Sequence, residues 1–217
     1  ELEEMVLQPK MFEIFKEFLS WNKITDLKSV GEFNKACLDN RAFNLIKIAE
    51  ALHEKKVASI ADMIHARRDV KVILISGPSS SGKTTFSKRL SVQLMVSGLQ
   101  PKTISLDNYF VNRDVTPLDE HGGWDFESLY ALDLDFFHEQ MQQLLTGEEI
   151  ELPFFNFESG ERFFKGETLK LEKDTLLILE GIHALNPELT KGMPEEALFK
   201  IYVSALTTIS IDEHNWI

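Results

Sequence analysis

Cysteine is almost absent: Cys37 is the only one in 217 residues. A lone thiol closes no intrachain disulfide and anchors no multi-cysteine metal site, so its expected role is core packing and the expected compartment is the cytoplasm. Long apolar runs are missing too. No stretch approaches the roughly 20 residues of a membrane-spanning helix, and no charged-then-apolar leader opens the chain. No membrane partner is expected. Positive charge is also short, because 23 Lys and Arg against 35 Asp and Glu leave a formal charge of −12. Nucleic acid is disfavoured as a partner, since it calls for a basic stripe. Anionic substrates must rely on local cations rather than on the field of the whole chain. Internal repeats and low-complexity tracts are absent as well.

Against this background one segment stands out. The run Val72-Ile73-Leu74-Ile75-Ser76 leads into Gly77-Pro78-Ser79-Ser80-Ser81-Gly82-Lys83-Thr84-Thr85. Gly77, Gly82, Lys83 and Thr84 satisfy the phosphate-loop pattern G-x-x-x-x-G-K-[ST]. The two glycines let the backbone turn its N–H groups inward as a cradle for phosphate oxygens. Lys83 supplies a point charge for the β- and γ-phosphates, and the Thr84 hydroxyl is a hard oxygen ligand for Mg²⁺. A helix beginning near Gly82 adds its positive dipole end. The motif alone is moderately specific. A β-branched strand before it and the helical spacing of Phe86, Leu90 and Leu94 after it strengthen the reading, and ATP and Mg²⁺ are the expected cofactors.

Two regions are expected. Residues 1–68 read as a helical extension or linker: Met11, Phe12, Phe15, Phe18 and Leu19 recur at helical spacing, Ser29-Val30-Gly31-Glu32 breaks the pattern, and two further amphipathic helices fit 40–54 and 57–68. Residues 69–217 alternate strand and helix, which predicts an α/β fold with a doubly wound parallel sheet. Strands are expected at 72–76, 103–107, 175–180 and 198–203, and helices after the phosphate loop to near Gly98 and over 133–145, with Asp133 as N-cap. Residues 151–171 carry two aromatic-rich runs around Glu158-Ser159-Gly160-Glu161, the pattern of an inserted β-hairpin.

In open parallel sheets ligands bind beyond the C-terminal strand ends. Asp107 and Glu180 fall at two such ends. A carboxylate there can help hold Mg²⁺ or take a proton from an attacking hydroxyl; the plainer alternatives are a helix cap and a turn acid. Asp125, beside Trp124 and after Gly122-Gly123, is the acid in the 125–135 patch best suited to a sugar hydroxyl. Its neighbours read as solvated or capping.

Taken together, several ordered segments resemble the uridine kinase and phosphoribulokinase family of P-loop kinases. These are 76–85, Ser105-Leu106-Asp107-Asn108-Tyr109-Phe110, Trp124-Asp125-Phe126, Pro153-Phe154-Phe155-Asn156-Phe157 and Leu179-Glu180-Gly181-Ile182, and the likeness covers residues 70–205. The resemblance implies transfer of the ATP γ-phosphoryl group to the 5′-hydroxyl of a nucleoside. It carries the general base onto Asp107, Mg²⁺ assistance onto Glu180 and ribose binding onto Asp125. Tyr109, Phe110 and Phe155 are then expected along the substrate cleft, with the hairpin over the base.

The chain departs from that family in three places. Phe155-Asn156-Phe157 stands where uridine kinases typically have Tyr-Asp-Phe, the histidine that follows there has no counterpart among Glu158, Ser159 and Gly160, and no arginine follows Arg162. The family's arginine-rich lid is therefore expected to be missing. Because the chain opens on Glu1 and stops after Asn215-Trp216-Ile217, it is expected to be a fragment with impaired activity. Residues 48–56 resemble the linker of long bacterial versions, in which a threonyl-tRNA-synthetase-like region precedes the kinase. A kinase of another small hydroxyl substrate, such as a sugar phosphate or pantothenate, is the alternative, and a non-catalytic nucleotide-binding or RNA-associated module is the third reading. A GTPase is disfavoured, as no N-K-x-D motif follows the loop. A homo-oligomer is left open.

Overall fold

The computed structural model describes residues 9–204 and 209–211. Three helices come first, α1 (Pro9–Thr25), α2 (Val30–Leu38) and α3 (Ala42–Ala66), followed by β1 (Val72–Ser76), α4 (Lys83–Val96) and β2 (Gln100–Ser105). Next are α5 (Leu134–Leu145), β3 (Glu149–Asn156), β4 (Glu161–Lys170), β5 (Thr175–Glu180) and β6 (Leu198–Tyr202). The chain divides into two compact units, 1–56 with 205–217, and 57–204.

The N-terminal helices differ from expectation in three ways. Ser29 and Glu32 start a helix rather than merely interrupting one. Ser29 Oγ accepts the Glu32 N–H at 3.3 Å while the Glu32 carboxylate accepts the Ser29 N–H at 3.1 Å, a reciprocal cap for α2. In place of the two helices expected over 40–54 and 57–68, Ala42–Ala66 form one helix of 25 residues. No proline or glycine interrupts the sequence near residue 56, so nothing there stops helix propagation. Cys37 is exposed, and Ala36, one residue back, takes the buried face of α2. Ser210 joins the first unit through a parallel bridge to Ser29 and a hydrogen bond from its hydroxyl to the Lys28 carbonyl. The expectations for residues 215–217 lie outside the described residues.

The second unit is the expected α/β fold. Its main sheet has four strands, all parallel, in the order β2-β5-β1-β6. Strands β1 and β5 are buried throughout, as central strands covered on both faces must be, which explains their unbroken apolar runs. Alternate residues of β1 serve opposite faces. Val72 and Leu74 pack with Phe137, Met141 and Leu144 of α5, whereas Ile73 and Ile75 pack with Leu90 and Leu94 of α4 and with Val57, Ala61 and Ile64 of α3. Each fully buried Leu or Ile contributes about 1.5–3 kcal/mol.

Strand β2 begins and ends earlier than its sequence pattern predicts. It incorporates Pro101, which an edge strand tolerates because one row of N–H groups goes unpaired there. Residues Leu106–Tyr109 then form a 3₁₀ turn, so Asp107 stands just past the strand rather than within it. Strand β6 also stops short, at Tyr202. Asp133 caps α5 as predicted, accepting the Phe136 N–H at 3.1 Å. Strands β3 and β4 pair antiparallel as the inserted hairpin, with a register shift between Glu151 and Pro153.

Candidate active site

Parallel register brings the functional segments to one edge of the sheet. Glu180 lies level with Ile75 of β1 on one side and with Ser105 of β2 on the other. The phosphate loop, the Asp107 turn and the end of β5 therefore emerge side by side, at the C-terminal strand ends.

The loop after β1 has a shape that its side chains could not substitute. A Cβ on Gly77 would stand 2.1 Å from the Val203 carbonyl oxygen, so backbone passes where any side chain would lie. Ser80 and Gly82 adopt φ of +59° and +90°, which turns the chain tightly into α4. No side chain caps α4. Ser81 Oγ is buried with no partner among the described residues. The Lys83 ammonium reaches back over the loop, donating to the Gly77 and Pro78 carbonyls at 2.9 and 2.8 Å. Unspent helix-end N–H groups, an orphaned hydroxyl and a folded-back ammonium form a donor set suited to a polyphosphate.

Thr84 and Glu180 are paired. The Thr84 hydroxyl lies 3.0 Å from both carboxylate oxygens of Glu180, which is itself buried at the end of β5. Hydroxyl and carboxylate are hard oxygen donors, the chemistry Mg²⁺ takes alongside phosphate oxygens and water. The residues present thus fit that ion. Among the described residues there is no cluster of three or more His, Cys, Asp or Glu that would hold a metal by itself.

A cavity of about 410 Å³ opens between these elements. Ser79, Ser80, Lys83 and Thr84 line its phosphate-loop side, and Asp107, Ser105, Glu180 and Gly181 its floor. Phe110, Phe126, Phe157 and Glu127 line the far end. Asp107 faces solvent across this cleft while protein crowds its other sides. That partial burial pushes its carboxyl above the ordinary value of 3.8, and the nearby charges of Lys83 and His183 pull it part of the way back.

The sequence-predicted residues divide into three groups. Ser79, Ser80, Lys83, Thr84, Asp107, Phe110 and Glu180 meet at the cavity. Gly77, Pro78, Ser81, Gly82 and Thr85 form the loop and first helical turn behind it. Tyr109, Phe155 and Asp125 stand elsewhere. Tyr109 is fully buried in the core, its hydroxyl donating to Gln140 Oε1 at 2.8 Å, because the 3₁₀ turn points it inward toward Phe137. Burial pushes its phenol well above the usual range, and the nearby charge of Arg162 pulls it part of the way back. Phe155 is buried behind the cavity wall and packs on Phe110 and Phe157 at 5.5 and 5.2 Å. Asp125 is engaged as a turn acid: its Oδ1 accepts the N–H groups of Glu127 and Ser128, both at 3.0 Å.

Sequence reasoning missed Phe126, Glu127, Phe157 and His183. The first two adjoin Asp125, and an Asp that caps the two N–H groups beyond it leaves the next acid free to face the cleft. Phe157 is two residues from Phe155 and so shares its face of β3, extended to the rim. His183 follows Gly181-Ile182; its ring nitrogen is 2.8 Å from the Glu127 carbonyl, which ties the end of β5 to the acceptor side of the cavity. Alternation along the hairpin was the usable signal for Phe157. None existed for His183.

Known proteins are similar to this chain over the region that carries these residues. The model of the phosphoribulokinase / uridine kinase family matches residues 72–213. The uridine kinase of Limosilactobacillus reuteri (strain DSM 20016) is 31% identical over 140 residues, covering 64% of this chain and 61% of that protein. The uridine kinase of Bacillus pumilus (strain SAFR-032) is 32% identical over 132 residues, covering 61% and 60%. This chain therefore spans about three-fifths of the length of these curated relatives. A solved structure of a possible uridine kinase from Bacillus stearothermophilus matches with a TM-score of 0.56 at 24% identity, over 68% of this chain and 79% of that one, which shows a shared fold. With the family match running from β1 through β6, over the phosphate loop, the Asp107 turn and Glu180, the chain belongs to the phosphoribulokinase / uridine kinase family.

Proposed function

We propose that this protein is an ATP-dependent kinase that phosphorylates the 5′-hydroxyl of a nucleoside, with uridine as the model acceptor. The observation that carries the reading is Asp107 on a cavity wall shared with Lys83, Thr84 and Glu180. Lys83 and the loop amides bind the β- and γ-phosphates and hold the γ-phosphorus toward the acceptor. Asp107 accepts the proton of the attacking hydroxyl. The acceptor oxygen bonds to the γ-phosphorus while the bond to the β,γ-bridging oxygen breaks, and its electron pair leaves with ADP. Thr84 and Glu180 are the residues that would hold Mg²⁺, which would supply charge neutralisation on the phosphate oxygens.

The lining also supports an uncharged acceptor over a phosphorylated one. Among the described residues, Asp107, Glu127 and Glu180 set three carboxylates around the cavity against one lysine, Lys83, which the ATP phosphates would engage. A phosphorylated sugar would meet like charge there. The three phenylalanine rings give a planar base an apolar surface to lie on, and Glu127 is placed to accept from sugar hydroxyls in the role first assigned to Asp125. ATP as donor goes with a cytoplasmic setting.

The test is a panel of acceptors offered to the full-length enzyme with Mg²⁺ and ATP, read as ADP release and phosphorylated product. Uridine or cytidine is expected to be phosphorylated, with sugar phosphates and pantothenate inert. Turnover on a phosphorylated sugar with none on nucleosides would replace this reading with the other acceptor kinase. ATP binding without transfer to any acceptor would leave a nucleotide-binding module.

A further inference from the structure

The tip of the β3–β4 hairpin is tied to the loop beyond Phe110 chiefly through Arg113. Arg113 donates its backbone N–H to the Gly160 carbonyl at 2.8 Å. Its guanidinium donates to the carbonyls of Phe157 and, at 3.2 Å, of Glu158. The same group lies 5.0 Å over the Trp124 ring. Gly160 is where the two segments touch: its φ is +73°, and a Cβ there would stand 2.6 Å from Arg113 Nε. Asn112 adds a second tie, its Oδ1 accepting the Arg162 N–H at 3.1 Å.

Among the described residues Arg113 contacts carbonyls and an aromatic face and no carboxylate, and its Nε is buried with no partner. Such a group acts as a clamp on backbone rather than as a surface ion pair. What it clamps matters for the site. Phe157, whose carbonyl it holds, is the hairpin's contribution to the cavity lining, and its ring packs 6.1 Å from Phe110.

We infer that Arg113 is a positioning residue that fixes Phe157 at the acceptor end of the cavity and so sets the fit to a planar base. This rests on the nucleoside reading above. In the full-length enzyme, Arg113→Ala raises the acceptor KM about tenfold while the ATP KM moves less than about twofold. Arg113→Lys keeps a cation for Trp124 and one carbonyl bond, and recovers part of the loss. Gly160→Ala attacks the same contact from the hairpin side and gives the same acceptor-selective defect. Hydrogen exchange supplies a readout that needs no turnover: Arg113→Ala speeds exchange at amides 157–160 and leaves β1 and β5 unchanged. An unchanged acceptor KM, or acceptor and ATP KM rising together, overturns the inference. If the wild-type enzyme phosphorylates no nucleoside, the functional reading fails; unaltered exchange at the hairpin tip then overturns the positioning role, and faster exchange upholds it.

Discussion

In the proposed mechanism Asp107 meets two opposing demands. A base that takes a proton from a sugar hydroxyl must be ionised, yet the site crowds its carboxyl and favours the neutral form. The sign can be followed through. A carboxyl raised on folding binds its proton more tightly in the folded protein than in the unfolded chain. Its contribution to stability is then complete below about 3.8 and is lost as pH rises through the higher folded value. Asp107→Asn is therefore expected to raise the Tm of the ligand-free protein at neutral pH and to have no such benefit near pH 3, measurable by thermal unfolding at both. The same direction applies to the proposed activity: with Asp107 as the base, the acidic limb of kcat/KM is expected above the ordinary aspartate range, read from a pH–rate profile. Thr84 and Glu180 predict a different phenotype. Glu180→Gln keeps the hydrogen bond to Thr84 but removes a charge, so the Mg²⁺ concentration for half-maximal turnover rises severalfold with the nucleoside KM little changed, as a metal titration would read.

At the scale of elements, the site depends on how the sheet and α5 hold a short turn. Tyr109 and Phe137 meet edge to face at 5.1 Å in the core, and they anchor the turn that carries Asp107. Phe137→Ala is expected to cost about 3–5 kcal/mol, read by denaturant unfolding, and to lower turnover more than ATP affinity. Ser29→Ala removes half of a reciprocal cap far along the chain from these strands and costs about 1 kcal/mol with kinetics unchanged. These elements also show what could be read from the sequence. Strands β1 and β5 were legible to the residue, because a continuous β-branched or leucine run bounded by loop signals has few alternatives. Strand β2 was not. Pro101 reads as punctuation until the sheet order makes it an edge residue, and its early end turns Tyr109 into the core. Asp125 and Glu127 were separable only once the turn at 125–128 fixed which carboxylate its own backbone consumes.

The whole molecule carries a formal charge of −12 but concentrates donors at one sheet edge. Lys83, the start of α4 and the Ser79–Ser80 segment are local compensation for an otherwise anionic chain, so ATP binding is expected to depend on them rather than on long-range attraction. The family fixes the fold and order of these parts; the acceptor is argued from a cavity with three carboxylates, one ammonium and three phenylalanines. The most direct test of that account is phosphoryl transfer from ATP to uridine by the full-length enzyme and its Asp107→Asn variant, with ATP affinity measured on both. Transfer is expected to fall by about 10²–10⁴-fold in the variant, with the ATP dissociation constant unchanged within about twofold. Undiminished transfer by Asp107→Asn would contradict the assignment of the base, and with it the mechanism built on this cavity.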